Sequence, residues 1–206
     1  MIIGLDFDNT LICYDELFHR LAMEAGVACP ASGASKRAIR DLARRSPGAD
    51  ATWQRLQGLA YGPRIQEAHL FPGLRDFFER CVQEHADLVV VSHKTEYASD
   101  DATRTPLRTA ALDWMDRQGL FHFAAGVLKR GSIHFCASRE YKVARIRELG
   151  CTWFVDDLEE TFLEPNYPRE VRGIFFAPEG PRGIPHRPEI LWAESWEKVA
   201  GHVFAD

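Results

Sequence analysis

The sequence has 206 residues, of which 46% are hydrophobic and 27% are charged, and its formal net charge is −5. This length and composition fit one medium domain, or one domain that carries a modest insertion. The acidic charge argues against a general nucleic-acid binder, which would carry a basic excess on its binding face.

The five cysteines and the first residues indicate the compartment. The cysteine count is odd and contains no C-x-x-C pair, so neither a disulfide framework nor a thiolate zinc site is indicated. The apolar start stops at Asp6 without a basic region before it, which differs from a signal peptide. No apolar run approaches the roughly 18 residues that a membrane helix needs. We therefore expect a cytoplasmic protein with free thiols and no membrane partner.

Short apolar runs rich in β-branched and aromatic residues predict buried strands at 2–5, 88–91, 133–136, 152–155 and 174–176. Each run is continuous rather than alternating, which is typical of a parallel sheet covered on both faces. Helical periodicity fills the intervals at 74–84, 107–118 and 141–149. This alternation predicts an α/β class fold with a doubly wound parallel sheet.

Residues 13 to 70 interrupt this alternation. No strand-like run occurs there, and three helices are predicted at 15–25, 35–45 and 50–60, with Ser35 and Asp50 as N-caps. We therefore expect residues 1–12 and 71–206 to form the core domain and residues 13–70 to form a small helical insertion. The Pro- and Gly-rich stretch PEGPRGIPHRPE predicts a surface loop before a last helix.

Polar residues follow three of the predicted strands. In doubly wound folds, functional groups collect at the carboxyl ends of the strands. Asp6 and Asp8 are two residues apart, so in an extended chain their side chains point the same way. If the strands are parallel, one cleft receives five residues: Asp6, Asp8, Ser92, Asp156 and Asp157.

Four carboxylates in one cleft would repel each other without a counter-charge. A divalent cation removes this repulsion, and Mg²⁺ prefers carboxylate oxygens, phosphate and water as ligands. Lys142, at the start of a predicted helix, adds a positive charge. The cleft then suits a phosphate dianion, with one carboxylate able to attack phosphorus and another to transfer protons.

These residues resemble the four motifs of the haloacid dehalogenase (HAD) superfamily: DFDNT after a strand, a strand-ending Ser92, the downstream Lys142, and the strand-ending pair Asp156–Asp157. The resemblance implies a Rossmann-like core, Mg²⁺-dependent phosphoryl transfer, and an α-helical cap inserted after the first strand. It also implies that Asp6 is the nucleophile and Asp8 the general acid/base. The second aspartate favours the phosphatase branch over the dehalogenases.

The resemblance also implies the ligands. Asp6, the backbone carbonyl of Asp8 and the pair Asp156–Asp157 would hold Mg²⁺, while Ser92 and Lys142 would bind the phosphoryl group. Two further residues are expected to contact substrate, Thr10 of the first motif and His93 beside Ser92. Family members often have glycine where this chain has Asn9, a residue that also tolerates unusual backbone angles.

Several alternatives remain at this point. Lys94 and Lys129 are rivals of Lys142. Trp53, Tyr61 and Arg64 could contact a substrate, and packing within the insertion is the alternative for the two aromatic residues. A small phosphorylated metabolite is the expected substrate. A nucleic-acid end phosphatase or nucleotidase is the alternative, with the helix SKRAIRDLARR as its candidate basic surface. A non-catalytic regulatory module would be expected to lack the nucleophile or the acid, and both are present.

Overall fold

The computed structural model describes residues 1–27, 29, 34–44, 49–99, 104–180 and 189–205. The chain forms two compact units. The core unit comprises Met1–Leu11, Leu70–Lys94 and Gln118–Asp206, and the helical unit comprises Ile12–His69 and Thr95–Arg117. Among the described residues, no helix is long and apolar enough to cross a bilayer.

The strands are β1 Ile2–Leu5, β2 Ile12–Cys13, β3 His69–Leu70, β4 Asp87–His93, β5 Leu128–Cys136, β6 Trp153–Asp156, β7 Arg172–Phe176 and β8 Ile190–Ala193. The helices are α1 Asp15–Glu24, α2 Lys36–Ala43, α3 Ala49–Tyr61, α4 Leu74–Gln83, α5 Leu107–Arg117, α6 Arg139–Glu148, α7 Glu159–Leu163 and α8 Trp196–Val203. Short 3₁₀ turns cover Ile65–Glu67 and Ala124–Gly126.

The core unit is built on a six-stranded sheet in the order β5-β4-β1-β6-β7-β8. Every neighbouring pair is parallel. The inner strands β1, β4 and β6 are buried along nearly their whole length, which explains their continuous apolar sequences. The prediction of an α/β class fold with a Rossmann-like parallel sheet is therefore confirmed.

The two edge strands depart from the prediction. β5 begins five residues earlier than the predicted run, and Lys129, Arg130 and Gly131 in its first half are exposed, as an edge position allows. β8 was not predicted, because the sequence pattern assigned only a loop and a helix to this part of the chain. Much of that predicted loop, at 181–188, lies outside the described residues.

The helices of the core unit follow the predicted periodicity. The apolar face of α4 buries Leu74, Phe77, Phe78 and Cys81, at the predicted spacing of i, i+3, i+4 and i+7. Serine side chains cap α6 and α8, since Ser138 accepts from the Tyr141 N–H and Ser195 accepts from the Lys198 N–H.

The helical unit contains α1, α2, α3 and α5, and aromatic side chains at α1 and α3 pack against one another. Phe18 stacks on Trp53 with ring centroids 5.0 Å apart, and Tyr14 and Tyr61 meet edge-on at the same distance. The Ser35 cap of α2 is confirmed, because its side chain accepts from the Ala38 N–H.

Three details of this unit differ from the sequence expectation. Asp50 lies within the first turn of α3, which begins at Ala49, so it is not the N-cap. The stretch predicted to lack strands contains the short strands β2 and β3, which pair with each other. The segment Thr95–Arg117, expected in the core, groups with the helical unit instead, and in it the indole N–H of Trp114 donates to the Ala68 carbonyl.

Candidate active site

The polar residues that follow β1, β4 and β6 meet at the carboxyl edge of the sheet. β1 lies between β4 and β6, and the backbone N–H of Asp6 donates to the carbonyl of Val155 at 2.9 Å. Because all three strands run in the same direction, they deliver Asp6, Ser92 and Asp156 to one end of the core unit.

Lys142 lies at the centre of this cluster. Its Nζ donates to Asp6 Oδ1 at 2.5 Å and to Asp156 Oδ2 at 2.6 Å, and all three side chains are buried. The Ser138 cap fixes the start of α6, and Lys142 is on the buried side of this helix, where it contacts the aspartates. Lys142 rather than its rivals therefore neutralises the predicted nucleophile.

Burial and charge act in opposite directions on these groups. Burial raises the pKa of Asp6 and outweighs the lowering by Lys142, and Asp156, Asp157 and Asp8 raise it further. Burial lowers the pKa of Lys142, but Asp156 and Asp6 more than compensate and hold that pKa above its ordinary value. The ammonium group is therefore kept charged within a cluster that has an excess of carboxylates.

Three carboxylates form a group of the right size for a cation. One oxygen from each of Asp6, Asp156 and Asp157 lies within 4.8 Å of the others. The Asn9 side chain donates to Asp157 Oδ2 at 3.2 Å, and Asn9 has a φ of 59°, in the left-handed region that glycine and asparagine adopt more readily than other residues. An all-oxygen donor set of this kind fits Mg²⁺ better than zinc.

The hydroxyl groups of two candidate site residues are buried and have no partner among the described residues. Thr10 Oγ1 and Ser92 Oγ make no hydrogen bond with any part of the chain that the structure describes. Both residues are almost fully buried, at 0% and 1% exposure. A buried hydroxyl without a partner is costly, so these two groups fit a ligand that accepts hydrogen bonds at the strand ends.

The sequence interpretation missed the partner of Asp8. Lys94 Nζ donates to Asp8 Oδ1 at 3.0 Å and to Oδ2 at 2.8 Å. Lys94 follows Ser92 by two residues, a spacing that places both side chains on one side of an extended chain. That spacing is the signal in the sequence that could have identified Lys94 as part of the site.

The remaining candidates lie outside this cluster of contacts. Lys129 is exposed on β5. His93 is exposed as well, and its Nε2 lies 3.2 Å from the Ala137 carbonyl oxygen. In the helical unit, Trp53 is stacked and 6% exposed, while Arg64 binds Glu67 and Glu24. The stacking supports the packing interpretation for Trp53, and Arg64 pairs with glutamates of its own unit.

Several solved structures that resemble this chain are HAD-type hydrolases. A haloacid dehalogenase-like hydrolase from Xanthomonas campestris aligns with 100% of this chain and 95% of its own, at 12% identity and a TM-score of 0.55. The chain has the haloacid dehalogenase fold. YfnB from Bacillus subtilis, described as a HAD hydrolase bound to magnesium, aligns over 100% of this chain and 98% of its own, at 12% identity and a TM-score of 0.55.

A third similar structure is CbbY from Rhodobacter sphaeroides in complex with phosphate. It aligns over 96% of this chain and 95% of its own, with 15% identity and a TM-score of 0.51. No protein-family model matches the sequence, and no curated protein matches it. At these identities, the similarity establishes the fold, and the chemistry has to be argued from the residues of this chain.

Proposed function

We propose that the protein is a Mg²⁺-dependent phosphatase that hydrolyses a small phosphorylated metabolite through an aspartyl-phosphate on Asp6. The observation that carries this proposal is the setting of Asp6. Its buried carboxylate is bonded to the Lys142 ammonium and lies within cation-binding distance of Asp156 and Asp157. The HAD fold of the core unit supports the same conclusion.

In the first half of the reaction, a carboxylate oxygen of Asp6 attacks phosphorus. The bond between phosphorus and the leaving oxygen breaks, and Asp8 gives its proton to that oxygen. In the second half, Asp8 takes a proton from a water molecule that attacks the phosphorus of the aspartyl-phosphate. This second attack releases phosphate and regenerates the Asp6 carboxylate.

The groups around Asp6 have separate tasks. Asp6, Asp156, Asp157 and the backbone carbonyl of Asp8 would hold the metal. Mg²⁺ at this position would neutralise charge on the phosphoryl oxygens. Magnesium bound to the structurally similar YfnB supports this choice of ion.

Donors on the protein would bind the phosphoryl group. Lys142 carries the positive charge, and the unpartnered hydroxyls of Ser92 and Thr10 supply hydrogen bonds to phosphoryl oxygens. His93, exposed beside Ser92, would contact the substrate at the edge of the site. The phosphate bound to CbbY supports a phosphorylated ligand for this fold.

Substrate choice is proposed to depend on the helical unit, acting as a cap, since the groups named above recognise only the phosphoryl group. Residues 13–70 are predicted from the sequence to form this cap, and the helical unit of the structure also includes Thr95–Arg117. A cap that limits entry and excludes water favours a small molecule as substrate.

The test is a screen of the purified protein against phosphorylated metabolites and 5′-phosphorylated oligonucleotides, with and without Mg²⁺. We expect activity on small esters that EDTA removes and Mg²⁺ restores. Asp6→Asn should lower kcat by more than about a thousandfold, because an asparagine amide is a much weaker nucleophile than a carboxylate. Asp76→Asn, an exposed aspartate on α4, is the matched control. Full activity in chelator, or an active and folded Asp6→Asn variant, would refute the proposal.

A further inference from the structure

Lys94 is a second buried lysine in the proposed active site, and none of the four HAD motifs accounts for it. The residue is 3% exposed, and its ammonium group contacts both carboxylate oxygens of Asp8. Burying an ammonium group is costly unless it is paired, so its pairing with Asp8 accounts for its burial.

The backbone holds Lys94 in place. Its N–H donates to the carbonyl of Cys136 at 3.1 Å, which extends the pairing of β4 with β5 by one residue beyond His93. The Nζ also lies 5.3 Å from the centre of the Phe7 ring, the residue between the two aspartates of the first motif. The backbone of Lys94 is thus anchored to β5 directly after the end of β4, and its ammonium group lies beside Phe7.

The two lysines pair with different aspartates. Lys142 binds Asp6 and Asp156, whereas Lys94 binds Asp8. Asp8 is two residues from Asp6, yet its carboxylate is not part of the three-carboxylate group that could hold a cation. With a side chain 19% exposed against 6% for Asp6, Asp8 is also the more accessible of the two.

We propose that Lys94 is a positioning residue that holds the Asp8 carboxyl group away from the metal ligands and directed at the leaving oxygen of the substrate. This inference rests on the proposed phosphatase function. In the step concerned, the bond from Asp6 to phosphorus forms, the bond from phosphorus to the leaving oxygen breaks, and the leaving oxygen takes the Asp8 proton. Lys94 transfers no proton and makes no covalent bond.

A pair of substrates separates this role from a purely structural one. 4-Nitrophenyl phosphate and 4-nitrobenzyl phosphate are similar in size, but only the second releases an alkoxide that depends strongly on protonation. If Lys94 acts through Asp8, Lys94→Met should lower kcat/KM for the benzyl ester about tenfold or more beyond its effect on the phenyl ester. Asp8→Asn should show the same selective loss, and Lys198→Met, at an exposed lysine, should show neither.

A double-mutant comparison provides the second measurement. The variant Asp8→Asn/Lys94→Met should be no slower than Asp8→Asn alone, because a positioning residue has no effect once its target is absent. This comparison still tests whether Lys94 acts through Asp8 if Lys94→Met alone does not fold. In the double variant the Asp8 carboxylate is replaced by a neutral amide, so no negative charge loses its lysine partner.

The outcomes can be told apart. Equal losses on both esters, or a double variant slower than Asp8→Asn on the phenyl ester, would show that Lys94 acts on the phosphoryl group or on the fold, and the inference would be wrong. A folded wild type that hydrolyses neither these esters nor any phosphorylated metabolite of the screen in Mg²⁺ would instead refute the proposed function, and the inference with it.

Discussion

The most direct physical test of the site removes the Lys142 ammonium by Lys142→Met, which keeps most of the side-chain volume. The Nζ lies 2.5 Å from Asp6 Oδ1 and 2.6 Å from Asp156 Oδ2, and all three side chains are buried. Removing one partner of a buried ion pair costs about 3–5 kcal/mol, because the remaining charge is left uncompensated. For a chain of this length, each kcal/mol lowers Tm by roughly 2–4 °C, so we expect a fall of about 6–20 °C.

The assay is thermal unfolding of wild type, Lys142→Met and the exposed-lysine control Lys198→Met, in EDTA and in a series of Mg²⁺ concentrations. In EDTA, only Lys142→Met should show the large loss. Added Mg²⁺ should narrow the gap, because a cation held by Asp6, Asp156 and Asp157 stabilises the folded state of a site that has lost its ammonium. A loss of about 1 kcal/mol would lower Tm by at least about 2 °C. A Lys142→Met variant whose Tm in EDTA lies within about 2 °C of wild type would therefore contradict the assignment of Lys142 as the main counter-charge of the aspartates.

Three further predictions concern the rest of the molecule. Trp53→Ala should lower the free energy of unfolding, measured in urea, by about 3–5 kcal/mol, because it removes a buried ring that stacks on Phe18. Gln54→Ala, on the exposed face of the same helix, should have little effect, and equally small effects of both variants would point to a surface role for Trp53. Burial raises the pKa of both the Cys81 and the Cys151 thiols to about 12, so neither should react with a thiol reagent at pH 8 until the protein is denatured, as mass spectrometry of labelled peptides would reveal. Hydrogen bonds from Arg64 and Arg20 lower the pKa of Glu67 from 4.5 to about 2, so its contribution to stability is present above pH 4.5 and is lost as the pH falls toward 2. The Tm difference between wild type and Glu67→Gln should therefore shrink between pH 4.5 and 2. A Tm difference that does not depend on pH would argue against the ion pair.

Local sequence patterns were sufficient for much of the core unit. Continuous apolar runs identified β1, β4, β6 and β7, because strands covered on both faces need apolar side chains at every position. The same patterns failed for β2 and β3, which have two residues each and therefore no period to detect. They also assigned α5 to the core, since its periodicity shows that one face is buried but not which unit buries it.

The site divides in a similar way between sequence and structure. The order of polar residues after strands was enough to nominate Asp6, Asp8, Ser92 and Asp156, since residues at the carboxyl ends of parallel strands converge wherever the strands are neighbours. The preference of Asn9 for a left-handed backbone could also be expected from its residue type, and its φ of 59° agrees. These properties depend on residues close to one another in the chain.

The ion-pair partners depend on the order of the strands, which no local pattern contains. Lys94 and Asp8 are 86 residues apart in the sequence, and Lys142 and Asp6 are 136 residues apart. Both ion pairs require β1 to lie between β4 and β6, and that order follows from the packing of the whole core unit. The sequence by itself therefore determined which residues are candidates for the chemistry. Only the tertiary structure decided which lysine pairs with which aspartate, because charges interact through space and proximity in the chain does not specify their partners.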